Sequence, residues 1–436
     1  MSTLAATFAA LALWLKPASE LGSKQKAAPP PPPTASSASA SAIGGDDPAR
    51  AKQIHKIRPG PAEYPDINTL RNAIPAHCFQ PSLWISCSYL ARDILLIAAL
   101  AYAAITFIPQ IQHPLLRTAA WIVYGFVQGL ACTGLWILAH ECGHGAFSLH
   151  TRVNNVIGWF AHSFLLVPYF SWKFSHARHH RFTGHMEKDM AFVPRTQAQH
   201  QSRRILGLKI DTELFEDAPI VSLMSLLVHQ LFGWQAYLLF NVSSGVDSLQ
   251  PEGSKSWSQS HFDPTSAVFR SSERLYIVIS DIGLLATAAM IYYGSTIFGA
   301  STMFLLYGVP YFWVHHWLVA ITYLHHTHPD LPHFDAENWT FVKGALATID
   351  RDFGFIGRYL FHGIIETHVV HHLFARIPFY YADEATEALK PLLGDLYHCD
   401  DTFLDTLWPT FNECKYVQPD STAPGEMRWV KDEKDE

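Results

Sequence analysis

Twenty-two consecutive residues, Thr118–Ala139, carry no charge, and the next five read His140-Glu-Cys-Gly-His144. As a helix the uncharged run is about 33 Å long, enough to cross the hydrocarbon core of a bilayer. In lipid a helix satisfies its own backbone polar groups, which is why such a run folds as one. Three more stretches behave alike. Ile94–Ile108 spans once it is extended back over Leu83–Leu90, with Arg92-Asp93 between them. Leu275–Phe298 contains one acid, Asp281, and Ser301–Leu324 contains His315 and His316. Val156–Phe170 and Ile220–Val242 are apolar but hold His162, or His229 and Gln230, and read as interfacial or re-entrant helices.

Composition agrees with a membrane protein. Charged residues make up 16% of the chain, against roughly 25% in a soluble domain. The formal net charge of −7 leaves no basic excess for nucleic acid. Six cysteines show no CxxC pairing, which argues against a disulfide scaffold or a cysteine zinc site. The loops orient the chain. Pro109–Arg117 holds one Arg and no Lys, the connection around Gly299 holds neither, and segment 140–274 holds twelve basic residues. The positive-inside rule makes that segment cytoplasmic, so the four spans form two hairpins with both termini in the cytosol. Residues 1–62 read as a disordered tether, with a short apolar run at 3–15 followed by PPPPP, SSASASA and GG.

Histidine is abundant, at 25 residues, and clusters three times. His140 and His144 follow the second span; His176, His179 and His180 form the second cluster; His368, His371 and His372 follow the fourth span. On a helix i, i+3 and i+4 share a face, so each cluster presents two or three imidazoles in one direction. The topology places all three clusters on the cytoplasmic side. Eight imidazoles exceed what one tetrahedral metal requires and suit two metals of higher coordination. A dinuclear iron centre beside a bilayer is the reading that uses two adjacent metals, to activate O2 against an unactivated C–H bond. The scattered histidines His55, His77, His113, His150, His162, His200, His229, His261 and His398 read as solvated, capping or packing groups. His325, His326, His328 and His333 are intermediate, since they sit at the cytoplasmic end of the fourth span.

The stretches HECGHGAFS (140–148), LLVPYFSWKFSHARHH (165–180), TGHMEKD (183–189), ITYLHHTHPDLPHF (321–334), ALATIDRDFGF (345–355) and HVVHHLFARIPFYYADEATEALKP (368–391) resemble the integral-membrane fatty acyl desaturases. The likeness is to their delta-12 and omega-3 branch, and most of all to its fungal members. It covers residues 63–418, leaving the tether and a polar tail, 419–436. It implies an all-α membrane fold: four transmembrane helices in two hairpins under a cytosolic helical cap that holds two irons. It further implies a ninth ligand, His326, aligned to the family's LHHTHP-like segment. In related enzymes the ligands divide so that one metal would take His140, His144, His176, His180 and His372, and the other His179, His326, His368 and His371 with a water.

Three positions depart from the family's usual pattern: Phe170 stands where a histidine is usual, His325 where a glutamine is, and Gly145-Ala146 follows the first box. These flank the boxes and bear on regiochemistry. No HPGG haem signature occurs, so the resemblance implies electrons from a separate cytochrome b5 type carrier and its reductase, in the endoplasmic reticulum membrane. The substrate implied is an acyl lipid or acyl thioester, with oleoyl chains converted to linoleoyl chains. Omega-3 desaturation, acetylenation or hydroxylation would use the same scaffold. Glu141, Asp189 and Glu366 are candidates to orient ligand imidazoles, as carboxylates commonly do, or else capping or solvated groups. Trp172 and Trp317 are candidates to line an acyl tunnel or to anchor at the interface. Two other classes compete. His140-Glu141-Cys-Gly-His144 also reads HExxH, the zinc protease motif, but that leaves six or more clustered histidines without a purpose. A histidine-rich metal transporter would carry its ligands near the bilayer midplane instead of at helix ends.

Overall fold

A computed structural model of the chain describes residues 63–202, 204–205, 208–209, 218–250 and 258–430. The expectations for residues 1–62 lie outside the described residues. Helix α1 is Leu83–Phe107, α2 Pro114–His144, α3 Thr151–Phe164, α4 Tyr169–Phe182, α5 Pro219–Phe240, α6 Arg274–Phe298, α7 Val309–His326, α8 His368–Leu373 and α9 Phe379–Leu393.

Where the sequence predicts four spans, five helices among the described residues are long and apolar enough to cross a membrane: the stretches containing α1, α2, α5, α6 and α7. The additional one is α5, predicted above as interfacial or re-entrant. Residues 300–326 are not one regular helix; a five-residue π-helical stretch, Phe304–Gly308, precedes α7.

Helix α2 occupies the centre. Every residue from Gln128 to Cys142 is buried. Glycines explain how its neighbours come so close: a Cβ at Gly125 would meet the Val309 side chain, one at Gly129 the Trp313 side chain and one at Gly134 the Leu360 carbonyl. Small residues of this kind let membrane helices touch backbone to side chain.

The apolar stretch Val156–Phe170 is split by Pro168, which the helix start tolerates but a helix interior would not. Leu165 and Val167 both donate to the His162 carbonyl, and Leu166 takes a φ of 54°. The chain therefore reverses between α3 and α4, as a re-entrant hairpin does. It is attached to α6 by Trp159 Nε1, which donates to the Ile279 carbonyl at 2.9 Å, and by the Phe170 amide, which donates to Ser280 Oγ at 2.9 Å.

The polar C-terminal tail, which the resemblance does not cover, is folded through Trp429. Strands β1 (His333–Phe334), β2 (Val417–Pro419) and β3 (Glu426–Trp429) form an antiparallel sheet of order β1-β3-β2, with Val417 opposite Trp429 and His333 opposite Met427. Val417 and Trp429 pack with Cys414 in a small apolar cluster. The apolar residues at alternate positions were hidden in a segment whose other residues are polar.

Candidate metal centre

The three histidine clusters meet beyond the end of α2. The first is set by the helix end itself. Gly145 has a φ of 76°, and the amides of Gly145 and Ala146 donate to the Cys142 and Glu141 carbonyls. This left-handed cap terminates the helix directly after His144. The second cluster lies in the last two turns of α4. The third is α8 itself, a helix of only six residues. Asp350 holds its start: Oδ1 accepts from the Val369 amide at 2.7 Å, and Oδ2 accepts from the Tyr397 hydroxyl at 2.6 Å.

The ligating atoms fall into two groups. His140, His144, His176, His180 and His371 bring one ring nitrogen each within 4.8 Å of one another, and so do His179, His326 and His372. His368 joins the second group, its Nε2 lying 3.3 Å from His326 Nε2 and 3.1 Å from His372 Nε2. All eight clustered histidines and His326 are thus brought together. The division differs from the one implied by related enzymes: His371 and His372 exchange places. On α8 the i, i+4 pair His368 and His372 faces α7, and His371 points to α2 and α4, with its ring 4.7 Å from those of His140 and His180.

The spacing fits bound metal. Ring nitrogens approach as Nε2–Nε2 pairs, at 3.2 Å for His140 and His144 and 3.1 Å for His176 and His180. Two imidazoles at about 2.1 Å from one metal and at right angles have nitrogens about 3.0 Å apart. His371 Nε2 is buried and has no hydrogen-bond partner. Such an array wastes polar groups unless something positive is shared between them. Burial, followed by the neighbouring imidazoles, pushes His371 and His372 well below their ordinary pKa, and burial first of all takes His368 down to about 3. These rings are neutral at pH 7, the state a metal requires.

The far nitrogens are fixed from outside. Asp189 Oδ1 accepts from His179 Nδ1 at 2.7 Å and also caps the Ala191 amide at 2.9 Å. Thr183 Oγ1 donates to the His179 carbonyl at 2.7 Å and lies 3.1 Å from His372 Nδ1, where it accepts. The Ile364 carbonyl faces His368 Nδ1 at 3.3 Å. Each contact turns Nε2 toward the centre. Glu141 stands beside a ligand whose buried Nδ1 makes no hydrogen bond. Its Oε1 lies 3.3 Å from His140 Nδ1, and its Oε2 accepts from the Phe379 amide at 3.3 Å, which ties α2 to the start of α9. Glu366 does not orient a ligand: it accepts from the Phe353 amide at 3.1 Å and packs against Gly357, and burial raises its carboxyl to about 7. Sequence reasoning missed Asp350 and Thr183. The signal for Thr183 is its place at the end of the helix that carries the second cluster; Asp350 gives none, because its partners are 19 and 47 residues away.

Trp172 is buried and stacks on His176 at 4.3 Å, with its edge toward Trp136. Trp317 is also buried, among Phe126, Trp313, Phe353 and Phe361. Neither is among the residues that line an apolar cavity beside α2. That cavity, of about 650 Å³, lies between α1, α2, α3 and α7 and is lined by Ile97, Gln128, Cys132, Leu135, Ala161 and Val314 among others. His325 is buried beside the centre without joining it: Nδ1 donates to the Ile349 carbonyl at 2.6 Å, and the ring stacks on His368 at 4.2 Å. His162 packs between Trp136 and Trp172, as a structural histidine would. His77 contacts Glu384.

Comparison with known proteins identifies the family. The fatty acid desaturase family model matches residues 118–402. The chain is 46% identical over 377 residues to an oleate hydroxylase from Claviceps purpurea, covering 82% of this chain and 78% of that protein. It is 44% identical to a delta(12) fatty acid desaturase from Mortierella alpina, over 81% of this chain and 88% of that protein. It is 43% identical to an endoplasmic reticulum omega-6 fatty acid desaturase from Brassica juncea, over 85% of this chain and 92% of that protein.

Proposed function

This chain belongs to the fatty acid desaturase family, and from that membership we propose that it is a delta-12 acyl-lipid desaturase that converts oleoyl to linoleoyl chains. The observation that carries the reading is the pairing of two imidazole groups at the end of α2 with an apolar cavity along the same helix. Nine histidines, His140, His144, His176, His179, His180, His326, His368, His371 and His372, would hold two irons. With O2, two electrons and two protons from outside, such a centre would supply the oxidising power for the loss of two hydrogens from the chain, with two waters as the other product. The protein's own part is to place and to exclude. Trp136 and Trp172 pack on His140 and His176 and keep bulk water from that side. Asp189 and Thr183 hold His179 and His372 in the tautomer that offers Nε2. Ile97, Leu135, Ala161 and Val314 offer a hydrocarbon chain an apolar bed.

The accompanying reading is a multi-pass protein of the endoplasmic reticulum membrane. In it both termini and the histidine cap face the cytosol, where a cytochrome b5 type carrier and its reductase deliver electrons. Expression in a yeast host that lacks dienoic fatty acids, followed by gas chromatography, tests the proposal. Linoleate should accumulate, with some hexadecadienoate from palmitoleate. Conversion of supplied linoleate to alpha-linolenate with oleate untouched would overturn the delta-12 assignment. The similarity to an oleate hydroxylase gives a second reading, hydroxylation of oleate, and a hydroxylated product in the same experiment would select it.

A further inference from the structure

Away from the histidine centre, one more set of metal-ligating side chains converges among the described residues. His77 and Cys78 are adjacent in a single turn of 3-10 helix, Ala76–Phe79, just before α1, and Glu384 is on α9. His77 Nε2 lies 2.9 Å from Glu384 Oε2 and 3.7 Å from Cys78 Sγ, and all three atoms lie within 4.8 Å of one another. We propose that His77, Cys78 and Glu384 form a second, mononuclear metal site of the zinc type, distinct from the histidine centre.

The chemistry of the donors points to the ion. One thiolate, one imidazole and one carboxylate make a mixed soft and borderline set, which suits Zn2+ and leaves a fourth tetrahedral position for water. The distances suit it too. With bonds of about 2.3 Å to sulfur and 2.0–2.1 Å to nitrogen and oxygen, tetrahedral edges are about 3.6 Å for S···N and about 3.3 Å for N···O. The observed S···N distance is already there, and the N···O contact has only to open by a few tenths of an ångström.

Burial places the site at a wall. Cys78 is fully buried on the side of the apolar cluster that includes Leu70, Ile74 and Leu389, whereas the side chains of His77 and Glu384 are about half exposed, 54% and 49%. An ion can enter from solvent and meet a thiol anchored in the core; binding expels the thiol proton. The Tyr381 ring stands edge-on to the imidazole at 5.2 Å and limits its rotation. A bound ion would tie the segment entering the first span to the helix that follows the third histidine cluster. The neighbouring links there are the Ser82 amide to the Tyr380 hydroxyl and the Phe79 ring against Phe374.

Cobalt reports on this site without interference, because only a thiolate ligand gives a thiolate-to-cobalt charge-transfer band and the histidine centre contains none. Full-length protein, purified with its histidine centre loaded, is titrated with Co2+. The expected result is that band, saturating at one Co2+ per chain and erased by Zn2+. Cys78→Ser should abolish it. Because a buried cysteine can also matter for folding, His77→Gln and Glu384→Gln, at half-exposed positions, form the second arm. Each should weaken Co2+ binding at least about tenfold, since even an outer-sphere partner is worth 10–100-fold. Absence of the band in the unaltered protein, its persistence in Cys78→Ser, or unchanged affinity in both glutamine variants would overturn the proposal; in the last case the His77–Glu384 contact is an ion pair only.

Discussion

Helices α2 and α6 are almost indistinguishable by hydropathy, yet the apolar stretch of the first is mostly buried and that of the second mostly not. On α6, Leu285 and Tyr292 are 70% and 74% exposed, whereas α2 shows an unbroken buried run through its last turns. In a bilayer a lipid-facing Leu loses nothing relative to a packed one, so apolar content reports crossing and is silent on packing. Close glycine contacts occur on both, at Gly283 of α6 against Ser163 and at Gly125, Gly129 and Gly134 of α2; what separates the helices is the succession of three on α2, each against a different neighbour, and the histidines at its end.

That contrast breaks most sharply at the tip of α2. His144→Ala should abolish product while the protein stays in the membrane, and metal content per chain should fall; His179→Ala and His371→Ala should do the same from the other two clusters. Tyr292→Ala on α6 should leave turnover intact. Gas chromatography with metal analysis on the same preparations decides. Full activity in His144→Ala would remove the central helix from the chemistry.

Acid should act on the cap next. His368 is held down to about 3 and His371 and His372 well below their ordinary pKa, so over a window that opens below about 6.5 the unfolded chain binds protons that the folded one refuses. Stability is therefore complete above the unfolded value and falls as pH drops through that window, by about 1.4 kcal/mol per pH unit for each imidazole. Denaturation midpoints of metal-free protein at pH 7 and pH 5.5 should differ by more than one titrating group allows. No histidine lies on α6, and a midpoint independent of pH would show that the cap's burial does not limit stability.

Packing gives an effect of a kilocalorie or more. Gly129→Leu forces a side chain into Trp313 and should cost about 1–3 kcal/mol. Leu285→Ala, on the exposed face of α6, should stay within about 0.5 kcal/mol. Equal losses in detergent unfolding would mean that the two helices are packed alike.

Much of this was legible in the chain, for physical reasons. Clusters spaced i, i+3, i+4 define a helix face whatever the tertiary fold, so eight histidines could be named, and His326 followed from a resemblance. The exchange of His371 and His372 was not legible, because it depends on how a six-residue helix is rotated about its axis, which contacts from elsewhere decide. Glu366 sits two residues before the third cluster and still points away, toward Phe353 and Gly357. Apolar runs located α1, α2, α6 and the final span. They did not settle α5, where Gln230 and His229 lowered the pattern while tertiary contacts of Gln235 with His315 supplied polar partners. The folded C-terminal strands were concealed by short length and mixed polarity.

The smallest expected effect separates how the first and third clusters are held. The first ends on a glycine cap that needs no outside help; the third leans on Asp350, which accepts from the Val369 amide and the Tyr397 hydroxyl. Asp350→Ala leaves the buried Val369 amide without a partner and should cost about 1–3 kcal/mol. Asp350→Asn keeps an acceptor oxygen for that amide. Burial raises the Asp350 carboxyl to about 7, against the donors that lower it, so the folded state holds a proton the unfolded state has released. Its contribution to stability is then present below about pH 4 and declines as pH rises toward 7. Asparagine has no such decline. Asp350→Asn should thus be close to neutral at pH 4 and increasingly more stable than the unaltered protein as pH rises to 8, while Asp350→Ala is less stable than Asp350→Asn at both. Unfolding midpoints of the three proteins at the two pH values test this, and a loss in Asp350→Asn as large as in Asp350→Ala would show that the carboxylate charge, not the hydrogen bond, holds the third cluster.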